Sequence, residues 1–485
     1  MTEGAGILEA DGVFVAGSWQ AGEAAPIEDL NPADGSVIAR VGQADAGQVE
    51  RALSAADAAR PAWARLGNVR RAGFLADMAD RLESETARMA GLISREMGKP
   101  IAQATGEVGF AVGILRYTAE WARRIEGELV PSDDPYEVIK LMRVPIGVVV
   151  AILPWNYPLA LFVRKAAPAL LTGNTVIVKP SELTPLVAIE MMKIAAECDL
   201  PPGVLNLTAG GAEVGEGLVA SPTAGLVTLT GSTRAGKAVM ATCAGNLTRV
   251  ALELGGKAPA IVWKDADIDR AVATIVEARH LNTGQVCTCA ERVLVHEAVF
   301  EEFVAAYAGA VSRLTLGDPA GEYDLGPLVS ERQLERVLES TGEAIANGAE
   351  AVVDGGRPAS SRFDGGSWVT PSVLTGVDPD MRVMNEETFG PVTPILEVGS
   401  LEDALAEANR LRSGLAAYLF TNDGRVVQRF SRDVECGELY VNRPIGEALQ
   451  GFHSGHKESG LGGEDGKHGV LKYTQMRTVY ERFGD

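Results

Sequence analysis

No stretch of this sequence is rich in lysine and arginine, and no apolar run reaches the roughly 18–20 residues that cross a bilayer. The balance is acidic, 65 Asp+Glu against 44 Lys+Arg, for a formal charge of -21. A phosphate backbone or an anionic membrane repels such a chain on average, so neither nucleic acid nor membrane is an expected partner. The longest apolar candidate, Ile146 to Pro154, is short and ends at proline, which reads as a buried strand. The N-terminus has no basic segment followed by an apolar one, so no signal peptide is expected. Cysteine is scarce: Cys198, Cys243, Cys287, Cys289 and Cys436. Only two of these are close together, so there is no disulfide framework, and a reducing, cytoplasmic setting is expected. Internal repeats, low-complexity tracts and a G-x-G-x-x-G motif are also missing.

A chain of 485 residues exceeds what a single core supports, so two or more domains are expected. Residues 1–45 mix short β-like runs with turns. Residues 44–127 read as helices, with apolar residues recurring three and four apart. Residues 128–145 break that pattern and read as a hairpin around a PSDDP turn. From 146 to 257 strand and helix alternate, which implies a parallel, doubly wound sheet with ligands at the C-terminal ends of its strands. A second α/β stretch follows from 258. The terminal segment reads as a strand that would pair with the 128–145 hairpin, on this chain or on a neighbour's.

The pair Cys287 and Cys289 is one residue too close for a C-x-x-C zinc or redox motif, and His280 and His296 do not complete a ligand set. No metal is expected. In an extended segment both thiols would share one face. The other three cysteines read as small buried apolar residues. Glu253 ends an apolar strand, where burial would raise its pKa, although a solvated strand end would look the same. Gly255 and Gly256, which follow it, suggest close backbone approach. Asn156, after Pro154 and Trp155, is equally a turn former. Lys179 to Glu182 reads as a helix entrance, with Ser181 or Thr184 as cap.

The segments GVVVAILPWNYPL, NTVIVKPSELTP, LTGSTRAGK, LELGGKAPAIV, GQVCTCAERV and EETFGPV occur in this order. Together they resemble the NAD(P)-dependent aldehyde dehydrogenase superfamily over essentially the whole chain. The C-terminal segment VNRPIGEALQGFHSG is similar to the lactaldehyde/glycolaldehyde dehydrogenase branch. The resemblance implies an α/β fold with a Rossmann-type cofactor domain (1–127 and 146–257), a catalytic domain (258–470) and a β oligomerisation arm (128–145 and 471–485). It implies a homodimer or homotetramer. It makes Cys287 the nucleophile, Asn156 an oxyanion donor and Glu253 the base that activates water on a thioester.

By the same resemblance, Lys179 and Glu182 hold the adenosine ribose, and Gly211 and Gly215 line the adenine side. Gly231 and Ser232 meet the pyrophosphate. Glu387 meets the nicotinamide ribose, with Phe389 and Trp155 beside the ring. A carboxylate at Glu182 repels a 2′-phosphate, so NAD is favoured over NADP. Glu447, His453, Arg164 and Thr288 fall at substrate positions. The first two would bond the hydroxyl of a 2-hydroxyaldehyde. The chain departs from the branch at Thr288, where Asn is usual, and at Pro444-Ile445-Gly446, which replaces a bulkier segment. Three alternatives stay open: a semialdehyde dehydrogenase with Arg164 anchoring an anionic tail, a CoA-acylating enzyme (disfavoured while Glu253 is present), and a non-catalytic protein of the same fold.

Overall fold

The segments VVVAI, TVIVK and PAIV place β-branched and other apolar residues at consecutive positions, so both faces of their strands must be covered. The computed structural model describes residues 7–484. Residues 1–6, where the expected absence of a signal peptide begins, and residue 485 lie outside the described residues.

The first sheet has eight strands, in the order Gly460–Leu461, Arg249–Glu253, Ala224–Thr230, Val148–Ile152, Thr175–Lys179, Leu205–Thr208, Val13–Val15 and Ser18–Gln20. The five from Arg249–Glu253 to Leu205–Thr208 are parallel, and helices Pro158–Leu171, Pro185–Ala196, Ala212–Ala220 and Thr233–Ala244 connect them. The chain moves outward from Val148–Ile152 to Leu205–Thr208, then crosses back to Ala224–Thr230 on the other flank. That reversal opens a crevice beyond the C-terminal ends of Val148–Ile152 and Ala224–Thr230. The glycine-containing run at 460–463 contributes a short edge strand that pairs antiparallel with Arg249–Glu253.

A second sheet runs Glu350–Val353, Ser372–Thr375, Val392–Val398, Arg292–His296, Pro259–Val262, Ala416–Phe420 and Glu438–Val441, parallel except at its first pair. The segments bearing Cys287, Glu387 and Glu438 all lie at the N-terminal ends of its strands. The site therefore forms where the C-terminal edge of one sheet faces the N-terminal edge of the other. The 128–145 hairpin becomes Glu128–Pro131 and Glu137–Pro145. The terminal strand Thr474–Arg482 pairs with the latter on this same chain, from Thr474 opposite Pro145 to Arg482 opposite Glu137.

Four helices, Ala46–Arg65, Asn68–Ser84, Thr86–Met97 and Ile101–Glu120, fill the N-terminal third. Asp45 and Gln48 close a capping box at the first of them. The cap expected at Pro185–Ala196 is supplied differently. Thr184 occupies the N-cap, but its hydroxyl has no partner, while the distant Glu96 accepts from the amides of Leu186 and, at 3.1 Å, Val187. Among the described residues, no helix is long and apolar enough to cross a membrane.

Candidate active site

The helix Pro158–Leu171 is buried along its whole length. Its first free amides, Leu159 and Ala160, donate to Glu107 Oε1 at 3.0 and 3.2 Å. Glu107 pairs with Lys99 inside the core, and Lys99 Nζ donates to the Asn156 carbonyl at 2.8 Å. This buried ion pair fixes the turn that carries Asn156. The Asn156 amide donates one hydrogen to Gln285 O at 3.0 Å, and its second amide hydrogen remains for a ligand. Lys99 and Glu107 carry no motif of their own and were not legible as site residues.

Cys287 lies on the connection between helix Ile268–His280 and strand Arg292–His296. The backbone before it is strained: Asn282 and Thr283 have φ of 53° and 54°. For a β-branched residue this is a rare conformation, costing about 1–3 kcal/mol. Thr283 Oγ1 is tied to the Gly326 backbone at 3.1 Å, and Asn282 N donates to Gln103 Oε1 at 2.7 Å. The segment is a turn, closed by Cys289 N donating to Val286 O at 3.1 Å. The expectation that both thiols face one cavity therefore fails, because a turn does not alternate its side chains as a strand does. Cys287 is partly exposed in the cavity. Cys289 is fully buried, its Sγ 3.7 Å from Arg279 O and its thiol pushed up to about 12 by burial.

A cavity of about 450 Å³ gathers Trp155, Asn156, Arg164, Gly231, Ser232, Glu253, Cys287, Thr288, Glu387, Phe389, Glu447 and His453. Residues so distant in sequence converge because they sit on the facing edges of the two sheets. Lys179, Glu182, Gly211 and Gly215 lie outside it: Lys179 ends strand Thr175–Lys179 and Glu182 follows it, while Gly211 caps helix Ala212–Ala220 and Gly215 lies within that helix. Lys179 and Glu182 approach within 3.7 Å, and a Cβ added at Gly215 would stand 3.8 Å from Lys179 Cδ.

Glu253 ends strand Arg249–Glu253, is 4% exposed, and neither of its carboxylate oxygens has a hydrogen-bond partner. Burial pushes its pKa up to about 7, against the opposing charge of His453, whose Nε2 is 3.7 Å away. An unpaired carboxyl poised near neutrality has the properties of a general base. Glu387 is also pushed up to about 7, by burial and then by the charge of Glu291. Its Oε1 accepts from Gly256 N at 3.1 Å, and a Cβ at Gly255 would meet its Oε2 at 2.6 Å. The two glycines thus permit the close approach expected of them.

Phe389, at φ 54°, presents its ring edge-on to Trp155, with centroids 5.3 Å apart. Glu291 holds this segment. It binds Lys257 at 2.6 Å and Arg279 at 2.8 Å, and accepts from the Thr388 and Phe389 amides at 3.1 Å each. The two cations keep its pKa at about 2 despite complete burial.

At the substrate end, Arg164 is not free. Its Nε donates to Asp465 Oδ1 at 3.0 Å, its Nη2 pairs with Asp465 Oδ2, and Glu464 Oε2 stands 3.5 Å from the Nε. Glu464 also binds Lys165 at 2.6 Å. Thr288 is buried, with its hydroxyl unpaired and its carbonyl accepting from Tyr418 Oη at 2.7 Å. Burial works against a charge on Glu447, yet Arg164 and His453 hold its carboxyl below the ordinary value. His453 Nδ1 is 3.0 Å from Glu438 Oε2 and 3.6 Å from Glu447 Oε1. Glu438 was not anticipated, since nothing near it in sequence marks a site. Phe452 packs edge-to-face against His468.

The groups present fit a bound dinucleotide. An exposed carboxylate beside an ammonium suits ribose hydroxyls. Glu387 offers a second carboxyl, and Trp155 and Phe389 offer aromatic walls. At the Gly231-Ser232 turn, Gly231 N already donates to Glu253 O at 2.9 Å and Ser232 Oγ caps Ala235 N at 3.2 Å. Anion binding expected there falls to the first amides of helix Thr233–Ala244 and to the Ser232 hydroxyl proton.

The sequence profile of the aldehyde dehydrogenase family matches residues 19–479. The chain is 43% identical to a lactaldehyde dehydrogenase of Escherichia coli strain K12 over 473 residues, 97% of each chain. It is 40% identical to a 3,6-anhydro-alpha-L-galactose dehydrogenase of Vibrio sp. strain EJY3, covering 97% of this chain and 99% of that one. A crystal structure of lactaldehyde dehydrogenase from Escherichia coli superimposes with a TM-score of 0.95 at 41% identity, over 98% of this chain and 100% of that chain.

Proposed function

The chain belongs to the aldehyde dehydrogenase family, and from that premise we propose that it oxidises a short polar aldehyde, a 2-hydroxyaldehyde such as lactaldehyde or glycolaldehyde, to the carboxylate with NAD. Cys287 adds to the carbonyl carbon, and the Asn156 amide with the Cys287 N–H receives the oxyanion. A dinucleotide held by Lys179, Glu182, Glu387 and Phe389 would supply the acceptor for the hydride that leaves the carbonyl carbon. Glu253 takes a proton from the water that hydrolyses the thioester, a role suited by its unpaired oxygens and a pKa of about 7.

The observation that carries the substrate reading is the state of Arg164. A guanidinium clamped by Asp465 and flanked by Glu464 has little left for an anionic tail, which counts against a semialdehyde substrate. Glu447 and His453, in contrast, face the cavity with hydrogen-bonding atoms suited to a neutral hydroxyl. Relatives named for lactaldehyde and for an anhydro sugar support the same reading. Glu182, close to Lys179 and exposed, favours NAD over NADP by repelling a 2′-phosphate.

The two large sheets and the three-stranded sheet of the arm, apart from the edge strand Gly460–Leu461 that joins the first sheet, support the division into a cofactor domain (1–127 and 146–257), a catalytic domain (258–470) and an arm (128–145 and 471–485). Leu129, Met142, Met476 and Tyr480 leave apolar surface exposed on the arm, consistent with a homodimer or homotetramer. The five free thiols suit a cytoplasmic setting.

Initial rates with glycolaldehyde, propionaldehyde and succinate semialdehyde test the substrate reading. We expect Glu447→Gln to raise KM for glycolaldehyde about tenfold and to leave propionaldehyde nearly unchanged, the loss of one charged hydrogen bond. Equal effects on both, or a preference of the unaltered enzyme for succinate semialdehyde, would retire it.

A further inference from the structure

Strand Glu438–Val441 forms one edge of the second sheet, and Glu438 and Tyr440, two residues apart, share a face of it. Gly437, just before the strand, lets the backbone after His453 come close, since a Cβ there would collide with the Ser454 carbonyl. That approach sets Glu438 beside the His453 ring. Glu438 Oε2 is 3.0 Å from Nδ1 and also accepts from Tyr440 Oη at 3.0 Å. The Tyr440 ring is held in turn by stacking on Tyr418, with centroids 4.9 Å apart. Glu447 Oε1 is 3.6 Å from Nδ1, beyond hydrogen-bond length. A ring nitrogen facing only acceptor oxygens carries hydrogen, so Nδ1–H donates to Glu438.

The other ring nitrogen is left for a ligand. Nε2 points toward Glu253 in the cavity wall, and at 3.7 Å from Oε2 it makes no hydrogen bond there. The backbone of His453 is pinned to Glu464, N to O at 2.9 Å and back at 2.6 Å. What the backbone does not fix is rotation of the ring. Turning it over exchanges Nδ1 with Cδ2 and Nε2 with Cε1. That forfeits the bond to Glu438 and presents a carbon where Nε2 stood.

We propose that Glu438, steadied by Tyr440, is a positioning residue for substrate choice: through Nδ1 it fixes the His453 ring so that Nε2, not Cε1, meets the hydroxyl of a 2-hydroxyaldehyde. The proposal rests on the substrate reading above. Glu438 stands behind the ring, outside the residues that line the cavity, so it acts through His453. A hydroxyl suits Nε2 whether that nitrogen accepts or, in the imidazolium, donates, because a hydroxyl does both. A methyl group in the same place gains nothing from the ring's orientation. Glu438 therefore adds discrimination between aldehydes and leaves the chemistry at Cys287 alone.

Initial rates of Glu438→Ala, His453→Ala and the double variant, each with glycolaldehyde and with propionaldehyde at saturating NAD, supply the test. We expect Glu438→Ala to lower the glycolaldehyde-to-propionaldehyde ratio of kcat/KM about tenfold, through KM, as one hydrogen bond at Nε2 is lost. The double variant should fall no further than His453→Ala alone. Glu438→Gln keeps an oxygen for Nδ1–H and should hold the ratio within about threefold of wild type. An unchanged ratio in Glu438→Ala, an equal loss on both aldehydes, or a loss that persists in full without His453 overturns the proposal.

If His453→Ala itself leaves the ratio unchanged, the substrate reading is what fails. The ring can then be read directly, whichever aldehyde is the substrate. Crystal structures of wild type and Glu438→Ala at about 1.2 Å or better tell ring nitrogen from carbon. We expect Nδ1 on Glu438 in the wild type, and a ring turned over or divided between two orientations in the variant. A ring that keeps one unchanged orientation without Glu438 overturns the positioning role.

Discussion

Glu253→Gln removes one proton-accepting group and preserves the shape of the cavity. Because both oxygens of the native carboxyl lack partners, the amide breaks no hydrogen bond. Two effects follow, with opposite signs. Loss of a general base typically costs about 100- to 10,000-fold in the step it serves, here hydrolysis of the thioester. Formation of the thioester does not use that base, so a stopped-flow trace should keep a burst of NADH of about one per site, followed by a nearly flat steady state. The surviving rate should also lose the rise through about pH 7 that ionisation of Glu253 gives the wild type.

The stability effect runs the other way. Moving the carboxyl from 4.5 to about 7 means that its ionisation inside the fold costs about 3 kcal/mol. Between these values the folded chain holds a proton that the unfolded chain has released. Stability therefore falls as pH rises through the window, and the penalty is complete above about 7. A glutamine escapes it. The denaturation midpoint of the variant relative to wild type should thus improve with pH, by about 2 kcal/mol between about pH 5.5 and about pH 8. A variant that loses burst and turnover together, or whose relative stability is flat across that range, would refute the assignment of Glu253 as the buried base of hydrolysis.

Arg164→Leu should act on folding more than on substrate choice. It leaves the buried Asp465 without its cation, while Glu464 keeps Lys165, a loss of about 3–5 kcal/mol that a lowered melting temperature would report. A selective rise in KM for succinate semialdehyde with stability intact would show that the guanidinium is free for anions after all. Glu291→Gln should loosen the segment bearing Glu387 and Phe389. The expected result is a KM for the dinucleotide raised about tenfold, equivalent to about 1.4 kcal/mol, with alkylation of Cys287 unaffected. If KM stays unchanged, Glu291 does not position the cofactor segment.

Much of the site was legible because its groups sit at the ends of strongly patterned elements. The apolar run before Pro154 marked the strand that leads to Asn156, and the run RVALE marked the strand that ends at Glu253. The glycines after Glu253 marked a close backbone approach, and the structure places Glu387 against Gly255, and Leu415 and the Cys287 carbonyl against Gly256. Local pattern misled at Cys289, because alternation was assumed where the chain turns. It misled again at Thr184, where a plausible cap was displaced by Glu96 from another helix. Lys99, Glu107, Glu291 and Glu438 were invisible. Each is a charged residue in an ordinary stretch, and its role comes from a partner that sequence spacing does not disclose.

The sequence by itself determined the alternation of strands and helices, the two α/β units, and the order of the segments that bear Asn156, Glu253, Cys287 and Glu387. These depend on backbone periodicity and turn chemistry, which act over a few residues. Only the tertiary structure decided which charges meet. Arg164 finds Asp465 across 301 residues, and Glu438 finds His453 across 15. A buried charge is defined by whatever neutralises it, and in a two-sheet fold that partner comes from wherever the chain returns.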